Sequence, residues 1–278
     1  MVLEKLVKKK EMKTIRAIMV EGTGTFFLCF VGGLAVYGSG AGYGEQLINV
    51  AFAHGLVLFM MIAWGGPITG AQYNPAVTIA LMINGEMAWG KGSLHIVSQF
   101  VGSIAAGFAL WLIHNITILR NGVFKKINTS PLLSPNVSHG QGFMLEFIAT
   151  FTLVMAVFTG IRTKQNEIVI GGYVGIVLMS FINSIGNLTG ASLNPARTFG
   201  PYLFYNNFVP VSQVDQPILV YYLAPILGGV VSGFVSKEVI HTEDVLEEKY
   251  TKKVDDTAKL MAAKTAENGD EDGVGELL

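Results

Sequence analysis

The triplet Asn-Pro-Ala occurs twice in the chain, as Asn74-Pro75-Ala76 and as Asn194-Pro195-Ala196. Asparagine is a strong helix N-cap, and proline is favoured at the first helical position because its missing N–H would be unpaired there. An asparagine whose carbonyl oxygen caps its own helix keeps its NH₂ donors for another acceptor. Each triplet therefore predicts a helix start that presents amide donors at the positive end of the helix dipole.

Two such helix starts facing each other would have a specific chemistry toward water. A water molecule that accepts hydrogen bonds from both amides is oriented by them, and the two positive dipole ends repel hydronium and cations. The pair predicts a point that water crosses in single file and protons do not cross. For a single copy of the triplet, the alternative is an ordinary capped helix.

The composition places these helix starts in a membrane protein. Of the 278 residues, 51% are hydrophobic and 14% are charged, and the mean hydropathy is +0.48, which is typical of a chain with several membrane spans. Apolar runs of the length needed to cross about 30 Å of hydrocarbon occur at 15–37, 47–65, 93–115, 141–162, 167–186 and 217–236. Shorter runs at 74–83 and 194–203 reach about halfway. The predicted fold is all-α, with six transmembrane helices and two re-entrant half-helices.

The chain also repeats itself. The segment that begins at Glu21 in the first span is echoed by the segment that begins at Glu146 in the fourth. Each half, about 15–115 and 141–236, contains three spans and one half-helix, and an odd number of spans makes the halves inverted repeats. A membrane glutamate must face the protein interior. We expect Glu21 and Glu146 to accept hydrogen bonds from the amides of the re-entrant loops; the alternative is a proton relay.

The charge distribution predicts the orientation. Residues 1–14 form a basic tail and residues 237–278 an acidic tail that we expect to be partly disordered, and the excess of Lys and Arg before the first span predicts that both termini are cytoplasmic. Three basic residues in the 116–140 connection oppose this orientation. Sequons at Asn128 and Asn136 favour it, since they can be glycosylated only on the outer face. The sequence does not distinguish the plasma membrane from the vacuolar membrane.

Several kinds of site are not predicted. Cys29 is the only cysteine, which excludes an intrachain disulfide and a cysteine metal cluster. The five histidines show no ligand spacing with each other, and no nucleophile, base and orienting group occur together. The sequence therefore predicts no enzymatic activity, no metal, no cofactor and no nucleic-acid partner.

One basic side chain stands out within the second half-helix. Arg197 lies at its third position, where a cation opposes the dipole and is costly in a membrane, so it needs a lumenal role. The corresponding residue of the first half-helix is Val77. We expect only the outer side of the pore to carry a fixed positive charge.

The segments 70–78 (GAQYNPAVT) and 190–201 (GASLNPARTFGP) resemble the two signature loops of the aquaporins, the major intrinsic protein family. The resemblance extends over about 15–236 and implies one pore per subunit and a homotetramer in the lipid bilayer. It also implies that the narrow filter of that family corresponds to His54, Ile182, Ala191 and Arg197 here.

This filter set is similar to that of some tonoplast-type plant aquaporins. Ile182 stands where strict water channels have a second histidine, and Ala191 is small, so the constriction should be wider and more apolar. The resemblance implies a passive water channel that excludes protons and ions, with additional permeability to small neutral solutes. Thr198 argues against glycerol, because glycerol facilitators have Asp at this position. The alternatives are a facilitator mainly for ammonia, hydrogen peroxide, urea or glycerol, and a structural membrane-junction protein.

Overall fold

The computed structural model describes residues 2–38, 47–121, 129–206, 217–239, 247 and 250–261. Within these ranges the regular structure is entirely helical. The helices are α1 (Val2–Gly38), α2 (Leu47–Thr69), α3 (Pro75–Ile83), α4 (Trp89–Asn121), α5 (His139–Arg162), α6 (Glu167–Thr189), α7 (Pro195–Asn206), α8 (a π-helical turn, Leu219–Leu223, continued by Ala224–Val239) and α9 (250–261). The sequon at Asn128 lies outside the described residues, whereas Asn136 is exposed in the turn before α5.

Six of these helices have the length and apolar composition needed to cross a membrane: α1 from Met12 onward, α2, α4, α5, α6 and α8. The helices α3 and α7 contain only 9 and 12 residues, or about half the length of a span. The predicted arrangement of six spans and two half-helices is therefore confirmed.

The ends of several helices differ from the predicted bounds; α4, for example, was predicted at 93–115 and extends from Trp89 to Asn121. The basic residues predicted as a tail are helical from Val2 and continuous with the first span. Helix α2 continues through Pro67 to Thr69 instead of ending at 65, since a proline removes one backbone hydrogen bond without ending every helix that contains it. Within the acidic C-terminal segment, residues 250–261 form a helix.

The chain divides into two compact units, residues 1–237 and 238–278. In the first unit, the order of three spans and one half-helix occurs twice, as α1 to α4 and as α5 to α8. Helices α2 and α6, which correspond in the two halves, touch through Gly55 and Gly175. A Cβ on residue 55 would lie 2.6 Å from the carbonyl oxygen of Gly175, and a Cβ on residue 175 would lie 2.7 Å from that of Gly55. The missing side chains let the two backbones meet.

Candidate functional site

Both Asn-Pro-Ala triplets begin a half-helix. Asn74 has an extended backbone, and its Oδ1 accepts a hydrogen bond from the backbone N of Ala76 at 2.9 Å. Oδ1 of Asn194 likewise accepts from the N of Ala196 at 2.9 Å and from the N of Arg197 at 3.2 Å. Each asparagine therefore satisfies backbone donors that the first turn of its own helix leaves unpaired.

The same two asparagines join the half-helices to each other. Nδ2 of Asn74 donates to the carbonyl oxygen of Leu193 at 2.8 Å, and Nδ2 of Asn194 donates to that of Tyr73 at 2.8 Å. The starts of α3 and α7 thus meet. A side-chain amide has two N–H donors, so each asparagine uses one of them to hold the opposite loop. The sequence did not indicate this crosswise use of the amides.

The two loops that precede the half-helices have the same unusual backbone. Three positions in each loop have positive φ: Gly70 (86°), Ala71 (46°) and Tyr73 (51°) in the first, and Gly190 (78°), Ala191 (44°) and Leu193 (54°) in the second. For a residue other than glycine, this left-handed conformation costs about 1–2 kcal/mol. The surrounding contacts must therefore hold both loops in place.

In the first loop, the holding group is the buried carboxylate of Glu21. Its Oε1 accepts from the backbone N of Gln72 at 3.1 Å, and its Oε2 accepts from that of Tyr73 at 2.9 Å. Two side chains of α4 complete the arrangement: Nε2 of Gln99 donates to Glu21 Oε2 at 2.8 Å, and Nδ1 of His95 donates to Oε1 of Gln72 at 2.6 Å. Sequence reasoning missed Gln99 and His95, although a polar residue within a membrane span is a signal for such a role.

In the second loop, the corresponding carboxylate belongs to Glu146, which is also buried. It accepts from the backbone N of Ser192 at 2.9 Å, from that of Leu193 at 2.7 Å, and from Oγ1 of Thr189 at 2.6 Å. Oη of Tyr221 on α8 donates to the carbonyl oxygen of Thr189 at 2.6 Å. Both glutamates therefore bind loop amides that a lipid environment would leave unpaired.

Arg197 and His54 are directly hydrogen-bonded. Nη1 of Arg197 donates to the carbonyl oxygens of Ala191 at 2.8 Å and Gly190 at 3.3 Å, and its Nη2 lies 3.1 Å from Nε2 of His54. Nδ1 of His54 lies 2.9 Å from the carbonyl oxygen of Val50. A carbonyl only accepts and a guanidinium only donates, so His54 carries its proton on Nδ1 and accepts from Arg197 through Nε2.

The other two predicted filter residues lie in the same buried region. Ala191 presents its carbonyl to Arg197, as described, and Ile182 projects from α6. Both side chains are fully buried within the core of the helical bundle. The structure thus links His54, Ala191 and Arg197 by hydrogen bonds, whereas Ile182 is placed only in the buried apolar core. Of the four, only Arg197 lines the cavity between the loops.

A cavity extends between the two loops. Asn74, Asn194 and Arg197 line it, together with Gly70, Ala71, Gln72, Ser192 and Leu193 of the loops. Its remaining wall is apolar and consists of Leu28, Leu58, Ile62, Val77, Leu153, Val157, Ile170, Val174 and Leu178. A few polar groups therefore lie at defined points of an otherwise apolar cavity, which is an arrangement that can orient small polar molecules.

Comparisons with known proteins agree with this geometry. The sequence model of the Major intrinsic protein family matches residues 8–236. The chain is 32% identical over 241 residues to a probable aquaporin NIP-type of Nicotiana alata, covering 84% of this chain and 81% of the relative. It is also 32% identical over 232 residues to aquaporin TIP4-1 of Arabidopsis thaliana, covering 81% and 86%.

A solved structure has the same fold. The aquaglyceroporin from Plasmodium falciparum superimposes with a TM-score of 0.73 at 21% identity, and the match covers 84% of this chain and 99% of that one. Together with the matched helix starts, these similarities show that the chain is a membrane channel protein, not an enzyme, and that it belongs to the major intrinsic protein family, the family of the aquaporins.

Proposed function

We propose that this channel conducts water passively in single file and excludes protons and ions. The observation that carries the proposal is the cavity bounded by the joined starts of α3 and α7, with Asn74, Asn194 and Arg197 on its wall. Each asparagine amide has one N–H engaged with the opposite loop and a second N–H available to a water molecule in the cavity. Water that accepts from both amides is oriented at this point.

Proton exclusion follows from the same geometry. A water that accepts hydrogen bonds from both asparagines directs its own protons away from the meeting point, so a proton relay through it is interrupted. The positive ends of the α3 and α7 dipoles, each equivalent to about half an elementary charge, repel hydronium and cations. Arg197 adds a full positive charge on the cavity wall.

The proposal is tested in proteoliposomes by stopped-flow light scattering under an osmotic step. Vesicles with the channel should shrink faster than empty ones without added proton conductance, and equal shrinkage rates would reject the proposal. Two leucines of α2 provide a matched pair of variants. Leu58 lines the cavity and is 5% exposed, whereas Leu56 is 50% exposed on the bundle surface. Leu58→Trp should abolish the added water flux, and Leu56→Trp should preserve it.

A second activity, permeability to small neutral solutes such as ammonia, hydrogen peroxide or urea, is supported by the apolar side of the constriction. The side chain of Ile182 offers no hydrogen bond to a solute, and Ala191 is small. Ile182→His should reduce solute flux by about tenfold and leave water flux nearly unchanged, because the added imidazole narrows the passage and favours hydrogen-bonding water. Unchanged solute selectivity would contradict this assignment.

The resemblance to aquaporins further supports a homotetramer with both termini in the cytoplasm. The mass of the detergent-solubilised protein tests the first point. Cysteine labelling tests the second, because the native Cys29 is buried. A membrane-impermeant maleimide added to intact cells should label Gly140→Cys in the first turn of α5 and should not label Lys13→Cys in α1; both native positions are exposed.

A further inference from the structure

Helix α1 contributes a backbone surface to the constriction that contains His54. Gly32 is buried in α1, and a Cβ on residue 32 would lie 2.1 Å from Nε2, 2.4 Å from Cδ2 and 2.5 Å from Cε1 of His54. The imidazole ring therefore rests directly against the backbone of α1. Only a residue without a side chain leaves room for the ring in this position.

The position of Gly32 relative to the cavity indicates where a side chain added at residue 32 would push the His54 ring. Leu28 lines the cavity, and residues four apart lie on the same face of a helix. Gly32 therefore belongs to the face of α1 that borders the passage, one turn beyond Leu28. A side chain added there would displace the imidazole away from α1, and this imidazole is hydrogen-bonded to Arg197, which lines the cavity.

The His54 ring has no alternative place that keeps its present bonds. Its Nδ1 donates to Val50 and its Nε2 accepts from Arg197, at 2.9 and 3.1 Å. Restoring a van der Waals separation of about 3.5 Å from a new Cβ requires a displacement of about 1.4 Å. A shift of this size breaks at least one of the two hydrogen bonds, because neither tolerates such a change in length.

We propose that Gly32 is a specificity-determining residue of this channel: the absence of its side chain sets the lateral position of His54 and thereby the width of the outer constriction. Gly32 acts through His54 and does not itself bind the permeating molecule. This inference rests on the proposed function, because it assigns solute selection to the constriction that His54 and Arg197 form.

The test uses the full-length channel in proteoliposomes and measures water and urea flux for each variant. Gly32→Ala should lower urea flux by about tenfold and water flux by only about twofold, because a narrower passage excludes the larger solute first. Gly33→Ala is the matched control on the same helix. A Cβ there would lie 2.4 Å from Cδ1 of Leu110, the end of a flexible side chain on α4 that can rotate away, so all fluxes should stay near those of the unsubstituted channel.

A double substitution shows whether Gly32 acts through His54. In the His54→Ala background the ring is absent, so adding Gly32→Ala should change no flux further. If Gly32→Ala behaves like Gly33→Ala, or if it lowers solute flux equally without the ring, the inference is wrong. If His54→Ala itself leaves the ratio of solute to water flux unchanged, the proposed filter fails, and the role of Gly32 in specificity fails with it.

If Gly32→Ala folds too poorly for flux assays, its melting temperature tests the inference instead. The three atoms nearest to the added Cβ all belong to the His54 ring. A melting temperature lowered by Gly32→Ala should therefore recover when His54→Ala is added. A melting temperature that stays low in the double variant would show that another group is crowded and would overturn the inference.

Discussion

The two re-entrant loops are built alike in their backbones and differently in their side chains. Segments 70–78 and 190–198 have positive φ at the same three positions, contain an asparagine cap at the fifth position, and receive a carboxylate from a membrane span. The side chains around this frame differ. When the two loops are aligned, Gln72 corresponds to Ser192, Tyr73 to Leu193 and Val77 to Arg197.

The difference separates two requirements of the site. The joined helix starts depend on backbone geometry, and both halves meet that requirement with the same asparagine and glutamate. Under the proposed function, selection depends on side chains, and at this position of the half-helices only the second half supplies a cation, Arg197. The residues whose side chains hold the two loops together are therefore the same in both halves, whereas the residue proposed for selection is not.

The largest effect is expected from replacing Arg197 by valine, the residue at the corresponding position of the first half-helix, Val77. Arg197→Val removes the donor for the carbonyls of Gly190 and Ala191 and for Nε2 of His54, and each bond to a charged group contributes about 1.5–3 kcal/mol. The melting temperature should fall and urea flux should rise by about tenfold. Differential scanning fluorimetry and vesicle flux assays measure the two results. An unchanged urea flux would contradict the role of Arg197.

The next largest effect is expected from replacing either asparagine cap, and the loss of stability should be nearly equal in the two halves. Asn74→Ala and Asn194→Ala each remove a cap, worth about 1 kcal/mol, and leave a buried carbonyl of the opposite loop unpaired, at about 1–3 kcal/mol. The distances match at 2.9 Å for the bonds to the N of Ala76 and Ala196 and at 2.8 Å for the cross-bonds. Asn194 also accepts from the N of Arg197 at a longer 3.2 Å, so the effect of Asn194→Ala should be slightly larger. Melting temperatures of the two variants should agree closely. A large inequality would show that one half alone holds the meeting point.

A smaller loss of stability, unequal in the two halves, is expected from replacing the carboxylates of Glu21 and Glu146. In Glu146→Gln and Glu21→Gln, the new NH₂ must face one of the loop amides, which then loses its acceptor. The longer of the two bonds to loop amides is 3.1 Å at Glu21 and 2.9 Å at Glu146. Losing the longer, weaker bond at Glu21 should therefore reduce the stability less. Glu146→Gln should lower the melting temperature more than Glu21→Gln. The reverse order would mean that the α4 side chains around Glu21 matter more than the backbone bonds.

The smallest effect is expected at Tyr73, whose hydroxyl has no counterpart at the corresponding position of the second loop, Leu193. Oη of Tyr73 donates to the carbonyl oxygen of Met61 at 2.8 Å, whereas Leu193 has no hydroxyl. Tyr73→Phe keeps the ring and should cost about 1 kcal/mol of stability with little change in water flux. The exposed Tyr173 on α6 serves as the control, and Tyr173→Phe should leave the melting temperature unchanged. A loss of water flux in Tyr73→Phe would contradict a purely supporting role for this hydroxyl.

Local patterns predicted the helices and their starts because the causes are local. Hydropathy over about 20 residues decides whether a helix can span the membrane, and an Asn-Pro pair caps a helix through atoms two or three residues away. The boundaries were less predictable: Pro67 remains inside α2, and the basic residues before the first span are helical.

The supporting contacts were not predictable, since they join residues far apart in the chain. Asn74 meets Leu193 and Asn194 meets Tyr73 across 119 and 121 residues. Gln99 reaches Glu21 from α4, and the ring of His54 rests against Gly32. A single sequence shows the polar residues within the spans but does not pair them.

Local features of the chain are enough to predict six membrane spans in two inverted halves and two short helices capped by asparagine, because burial of apolar side chains and capping of backbone donors are local requirements. The use of the amides depends on the packing of the helices: one N–H of each asparagine holds the opposite loop, and His54 accepts from Arg197 beside Gly32. Hydrogen bonds act only over about 3 Å, so their partners depend on how the helices pack.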